Sequence, residues 1–289
     1  LVTYTLTLEP TVSFWDCGEF ISASFRLQIC HPPGAPLFLL LGRIFSLFAG
    51  GDVTQVAFWV NIVSATTSAA CVMFTFWTIT HLGRKLVTKP NEELNMQQIF
   101  AVAVSGLVGA LALTWSDTFW FSAVEAEVYA SSSFFTTLTF WAILKWENVA
   151  DNEGSERWLV LIAYLIGLAI GVHLLSILVI PAIVYVYYFR KNKFTRPGFI
   201  KATIVAVAAI ALVQFGIIPG MPSLATKFDY FFVNTLGASF NTGAFFMLFV
   251  IAGALASAIH YTQTDNKISF YIAASLYALM VVATFSLNP

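Results

Sequence analysis

Charge is what this sequence has least of. Only 10% of its 289 residues are charged, against 58% hydrophobic, and the net charge is −1. That balance leaves no basic face to neutralise phosphates, which excludes a nucleic-acid partner. Cysteine is nearly as scarce. Cys17, Cys30 and Cys71 do not make a disulfide scaffold. Cys17 and Cys30 could pair if their loop faces an oxidising compartment, but small buried thiols are the simpler expectation. No cleavable leader is visible, and no internal repeat, low-complexity segment or interdomain linker is found. The opening LVTYTLTL reads as the end of a membrane helix whose beginning is missing.

What fills the chain is long apolar runs, so it is predicted to be a polytopic membrane protein: a single all-α domain, a helix bundle of about nine spans. The runs lie near residues 1–9 (partial), 55–81, 98–115, 122–145, 158–173, 174–189, 198–219, 244–262 and 268–286. Of the fourteen Lys and Arg residues, eleven fall in or beside the connections 82–97, 145–157, 190–201 and 263–267. Only Arg26, Arg43 and Lys227 fall on the opposite side. The positive-inside bias puts the first set in the cytoplasm. The stretches 10–54, 116–121 and 220–243 are then outer loops. The C-terminal Ser-Leu-Asn-Pro directly after a span leaves room for a further outer domain. The expected location is a bacterial cytoplasmic membrane, with the site facing outward.

The acids divide the other way. Glu9, Asp16, Glu19, Asp52, Asp117, Glu125, Glu127 and Asp229 lie on the outer side or at the outer ends of spans. Trp15, Phe20, Trp115, Phe119, Trp120 and Phe121 accompany them, as in an interfacial aromatic belt. The densest cluster is FWDCGEFISASFRLQICHPPGAPLFLLLGR, from Phe14 to Arg43. Ionisable groups near lipid are costly and are retained for function. Within the 10–54 loop, Ile21–Ile29 and Ala35–Phe48 have helical character. Pro32 and Pro33 break the first helix, and Pro36 suits the first turn of the second, which is expected to pack along the outer face.

Asp16 and Glu19, three apart, share one helical face. A carboxylate at an apolar interface has a raised pKa and can take a proton from a hydroxyl. The plainer reading is two solvated surface acids, which the flanking Phe14, Trp15 and Phe20 disfavour. His31, Pro32, Pro33 and Gly34 join a titratable imidazole to stiff backbone; alone, this is a turn that starts the next helix. Glu125 and Glu127 open a span, and at a spacing of two they point to different helix faces. Favourable charge at a helix N-terminus accounts for either one. Both together, beside Asp117, suggest a metal or a polar acceptor. His173 in IGVHLLSIL is either a satisfied buried imidazole or a hand on a phosphate. Arg26, between the acids and His31, is the leading cation for an anionic lipid-phosphate leaving group, with a divalent cation as a further option.

Together these motifs resemble the GT-C superfamily of polyprenyl-phosphate-sugar-dependent glycosyltransferases. The strings WDCGEF, HPPGAPLFLLLGR, SAVEAEVYA and GVHLL are similar to one branch, a bacterial membrane family of unknown function grouped with transmembrane protein O-mannosyltransferases. The resemblance covers most of the chain. It implies inverting, single-displacement transfer of mannose or another hexose. The donor is a polyprenyl-phosphate-linked sugar in the outer leaflet, and the acceptor is a Ser or Thr hydroxyl of an exported protein or peptide. Asp16 and Glu19 are then the catalytic candidates. Arg26, His31, Pro32, Pro33, Glu125, Glu127, Tyr129 and His173 are the substrate-binding ones. The superfamily commonly sets its two acids side by side. Here Cys17 and Gly18 separate them, and the choice of base stays open. A transporter or flippase for a lipid-linked or small anionic substrate is the competing reading, and a scaffold subunit ranks third. A transporter should show broken spans in corresponding halves, whereas these acids cluster at one interface.

Overall fold

The structure, a computed structural model, describes residues 1–89, 92–264 and 266–286. Parts of the expected connections 82–97 and 263–267, and the last three residues of the chain, lie outside them. Among the described residues the fold is all-helical. Its helices are α1 (Val2–Leu6), α2 (Cys17–Arg26), α3 (Pro36–Ser46), α4 (Val56–Val87), α5 (Met96–Thr114), α6 (Asp117–Ala123), α7 (Val128–Val149), α8 (Glu156–Ile170), α9 (Ile180–Lys191), α10 (Arg196–Ala211), α11 (Ile218–Leu236), α12 (Thr242–Thr264) and α13 (Lys267–Ser286). Five helical stretches are long and apolar enough to cross a bilayer: Val53–Val87, Met96–Thr114, Leu174–Lys191, Arg196–Leu236 and Thr242–Thr264. The protein is integral to the membrane. Of the other expected spans, α8 has only 15 residues, and α7 carries Ser131, Ser132, Ser133, Thr136, Thr137 and Thr139.

Two compact units are present, Leu1–Ala206 and a second from Val207 onward. In the first, α4 is the central post, packing against α5 and α7. The helices α2 and α3 form a hairpin laid on one end of that post. Their inner faces bury Phe20, Ile21, Ala23, Phe38 and Leu39 against Val56, Val60 and Val63 of α4, Ala126 and Val128 before and in α7, and Ala169 and Val172 at the end of α8. Phe20 and Phe38 meet edge to face at 5.5 Å. The outer edge of α3 leaves Leu40, Ile44, Leu47 and Phe48 exposed, as expected of a helix lying along the membrane interface. The chain leading into α2 is tied down by Asn61, whose Nδ2 donates to the carbonyls of Glu9 (2.7 Å) and Thr11 (3.1 Å). The Glu9 amide donates to the Val124 carbonyl at 3.0 Å.

The opposite end of the first unit is held by ion pairs. Lys85 of α4 meets Glu147 of α7, and Arg190 and Lys191 of α9 both meet Asp151 just after α7. These link the basic connections that the charge bias grouped on one side.

In the second unit, the expected outer loop 220–243 is corrected. Helical backbone continues to Leu236, through a π-helical segment at Leu212–Ile217. Pro219 and Pro222 both lie within this continuous helical stretch, where each removes a backbone donor. Leu224 and Phe228 bury one face against Met247 of α12. That packing carries the helix past the end of the apolar run at 219. The turn comes only at Gly237, which is left-handed (φ 67°).

The α2–α3 hairpin depends on close approach at Gly42. A β-carbon there would lie 2.4 Å from Ser24 Oγ and 2.8 Å from Ser24 Cβ. Gly42→Ala is therefore expected to lower stability by about 1–3 kcal/mol, the usual cost of overpacking, and to spread α2 from α3. Thermal unfolding of the detergent-solubilised protein measures this, and an unchanged midpoint would contradict the tight contact.

Candidate functional site

Asp16 is the residue before the first turn of α2, reached through Trp15 in a left-handed conformation (φ 61°). Its carboxylate makes no capping bond to its own helix and stays exposed. Glu19 lies one turn on, in the favourable field of the helix N-terminus. Its two oxygens are both engaged by His31. The His31 amide donates to Oε1 at 2.6 Å, and His31 Nδ1 lies 2.8 Å from Oε2. The ring is thereby turned so that Nε2 stands 3.9 Å from Asp16 Oδ2, and it packs on Phe20 at 5.8 Å. The hydrogen bonds to His31 hold the Glu19 carboxyl below its usual range, and the bond to Glu19 raises His31 above 6.5, with Asp16 adding to it. The result is an imidazole set between two carboxylates, both of which favour its protonated form.

These groups rim a small cavity of about 70 Å³ lined by Asp16, Phe20, Cys30, His31, Pro33, Gly34, Ala35, Glu127, Val128, Tyr129, Val172 and His173. At about 30 Å³ per water it holds a hydroxyl-sized group and a water rather than a sugar ring, so a larger ligand would rest at its mouth. Glu125 and Glu127 do not stand on a helix. Residues 124–127 break the chain between α6 and α7, and Glu127 has extended backbone (ψ 150°) as the residue preceding α7. Both can therefore turn inward, at 3% and 6% exposure. Cys17 Sγ donates to Glu127 Oε1 at 3.6 Å and also interacts with Glu125. Burial, with Asp16 and Glu125 adding like charge, pushes the Glu127 carboxyl up. Burial first, then the same two glutamates, pushes the Cys17 thiol up and keeps it protonated. All three cysteines are free and buried.

His173 closes the far side. Its Nδ1 accepts the Leu175 amide at 3.3 Å, which leaves the proton on Nε2. Burial lowers its pKa and keeps it neutral. Its ring lies 5.4 Å from that of Tyr129. Seven of the expected site residues thus converge: Asp16, Glu19, His31, Pro33, Glu127, Tyr129 and His173. Pro32 does not line the cavity, and Glu125 lies outside its lining and interacts with Cys17. Arg26 is not brought in. It ends α2, exposed, with its guanidinium over Phe25 at 5.7 Å. Sequence reasoning missed the inward role of Cys17. The signal was its place directly after Asp16, where a helix starting at Cys17 turns it to the core. Asp16, Glu19 and His31 also offer one ligand atom each within 4.8 Å of one another, so these are the atoms a divalent cation would share.

The family model described as the Protein O-mannosyl-transferase TMEM260 N-terminal domain matches residues 16–196. The Dictyostelium discoideum protein O-mannosyl-transferase tmem260 is 28% identical over 194 residues, covering 62% of this chain and 21% of that protein. The Mus musculus protein O-mannosyl-transferase TMEM260 is 26% identical over 168 residues, covering 58% of this chain and 21% of that protein. The chain thus spans about a fifth of the length of these relatives. No solved structure matches.

The Glu19–His31 pair sets a pH window. The contribution of His31 is full below 6.5 and is lost as pH rises through its elevated pKa. That of Glu19 is present above 4.5 and is lost as pH falls through its depressed pKa. The loop is therefore best held between pH 4.5 and 6.5, and weakens towards the depressed Glu19 pKa on one side and the elevated His31 pKa on the other. NMR titration of His31 should give a pKa above 6.5, returning towards 6.5 in Glu19→Gln. A value at or below 6.5 in both proteins would rule the pair out.

Proposed function

The chain belongs to the family of the Protein O-mannosyl-transferase TMEM260 N-terminal domain, and on that premise we propose that it acts as a membrane glycosyltransferase. The reaction is transfer of mannose or a related hexose from a polyprenyl-phosphate carrier to a Ser or Thr hydroxyl of an exported protein. The site then faces outward from a bacterial cytoplasmic membrane, in keeping with the gathering of basic connections at the other end of the first unit.

The observation that carries this reading is the unequal use of the two acids. Glu19 has both oxygens committed to His31. Asp16 has an exposed carboxylate at the mouth of the cavity, free of any helix cap. Asp16 is therefore the base and Glu19 the positioning residue. The acceptor oxygen attacks the anomeric carbon from the face opposite the phosphate, and its proton passes to Asp16. The bond from the anomeric carbon to the phosphate oxygen breaks with its electron pair on the phosphate. That leaving group is a weak base and needs no proton. The His31 imidazolium is the nearest positive charge to Asp16. It stabilises the carboxylate before transfer and the developing phosphate charge during it, the part the sequence assigned to Arg26. A divalent cation on Asp16, Glu19 and His31 would supply the same positive charge in place of the imidazole proton. Glu127, inclined to hold its proton, and neutral His173 can both donate hydrogen bonds to sugar hydroxyls.

Transfer from a mannosyl polyprenyl phosphate to a Ser/Thr peptide tests the assignment. Asp16→Asn should lose about 10²–10⁴-fold in rate, the usual worth of a general base. Glu19→Gln should lose less and shift the pH profile through His31. A folded Asp16→Asn protein with full transfer would overturn the proposal.

A further inference from the structure

A second, larger cavity of about 430 Å³ lies at the other end of α4, lined by Trp77, Thr80, His81, Arg84, Leu94, Val102, Trp141 and Lys145. His81 is twenty residues beyond Asn61 along α4, or about 30 Å at 1.5 Å per residue, so this cavity is separate from the acid–histidine site. Its chemistry is also the reverse. Among the described residues no carboxylate lines it, and three basic side chains do. Lys145 Nζ sits 5.2 Å from the centre of the Trp141 ring. Trp77 and Trp141 meet at 5.7 Å with their planes inclined by 35°, making an aromatic wall. The nearest acid on these helices, Glu147, is taken by Lys85.

We propose that this cavity binds the phosphate of an anionic membrane phospholipid, with its acyl chain along Trp77 and Trp141. The charge is complementary: Arg84 and Lys145 offer a fork and a point charge to a phosphate. The apolar half is complementary too. Trp77 is on α4, a stretch apolar and long enough to span the membrane, and it is partly exposed, so a lipid tail reaches it from the bilayer while its headgroup lies at the helix end. A soluble phosphate compound would use the cations and leave the tryptophan wall idle. The inference rests on the membrane-spanning reading of α4 and is independent of the transfer chemistry.

The test is native mass spectrometry of the whole protein in mixed micelles with equal parts phosphatidylglycerol and phosphatidylcholine. The unmodified protein should retain phosphatidylglycerol. Arg84→Gln/Lys145→Gln should retain about thirtyfold less, as expected for two basic contacts worth about 1 kcal/mol each, with phosphatidylcholine unchanged. Arg157→Gln/Lys193→Gln removes two cations outside the cavity and should leave retention unchanged. Equal retention by the cavity variant, or an equal loss in the outside variant, overturns the proposal. So does displacement of the lipid by inorganic phosphate, which would make the site one for free phosphate. A measurement on the unmodified protein guards against misfolding of the variant. Brominated phosphatidylglycerol should quench tryptophan fluorescence more strongly than brominated phosphatidylcholine, and equal quenching counts against the site.

Discussion

The burial of one face of α2 is the constraint on which the first unit's functional end depends. Cys17, Phe20, Ile21, Ala23 and Ser24 must leave solvent together, and they do so only against α3, α4 and the start of α7. Once that face is seated, the polar edge at the start of the helix has one orientation. Asp16 and Glu19 rise at the rim, and Cys17 turns down towards Glu127. The thirty residues from Phe14 to Arg43 therefore act as one rigid insert. The Glu19–His31 contact closes it across twelve residues, and the Asn61 amide pins the approach from behind.

The two ends of this unit have opposite electrostatic character for a common reason. Few charges are available, and none is well tolerated in the apolar middle. The cations collect at one end, where Glu147 and Asp151 pair with some of them. The acids collect at the other, where His31 is the imidazole among them. Around the buried Glu127, burial and the nearby carboxylates Asp16 and Glu125 outweigh the hydrogen bonds from Cys17 and the Val128 amide. A carboxyl so placed is biased towards its protonated form, so the floor of the cavity donates hydrogen bonds while its rim accepts them. A hydroxyl-bearing ligand can use both.

Much of this arrangement was legible in the sequence, and what was not has local causes. The apolar runs marked the membrane helices because lipid demands near-unbroken hydrophobicity. The acids and His31 were found together because they are close in the chain. Arg26 was also close, yet it lies a full helix away: with α2 starting at Cys17, ten residues carry it roughly 15 Å from the acid end. Glu125 and Glu127 were assigned to two faces of a helix. The chain break between α6 and α7 frees both to turn inward, and no pattern in SAVEAEVYA marks that break. The stretch after residue 219 reads as a loop because the apolar run ends there, but burial of Leu224 and Phe228 against α12 decides for helix. The end of an apolar run is visible in a sequence, whereas the partner surface that carries a helix past it is not.

Phe14 and Trp15, at 83% and 87% exposure, immediately precede Asp16. Aromatic rings of this kind settle at the boundary between headgroups and acyl chains. Trp15 is joined to the acid through a backbone fixed in the left-handed region, so the height of Asp16 above the hydrocarbon is set by its own neighbours. The site carries its own depth gauge. A thinner or thicker bilayer would tilt the long helices and still leave this carboxylate at the level its two aromatic neighbours set.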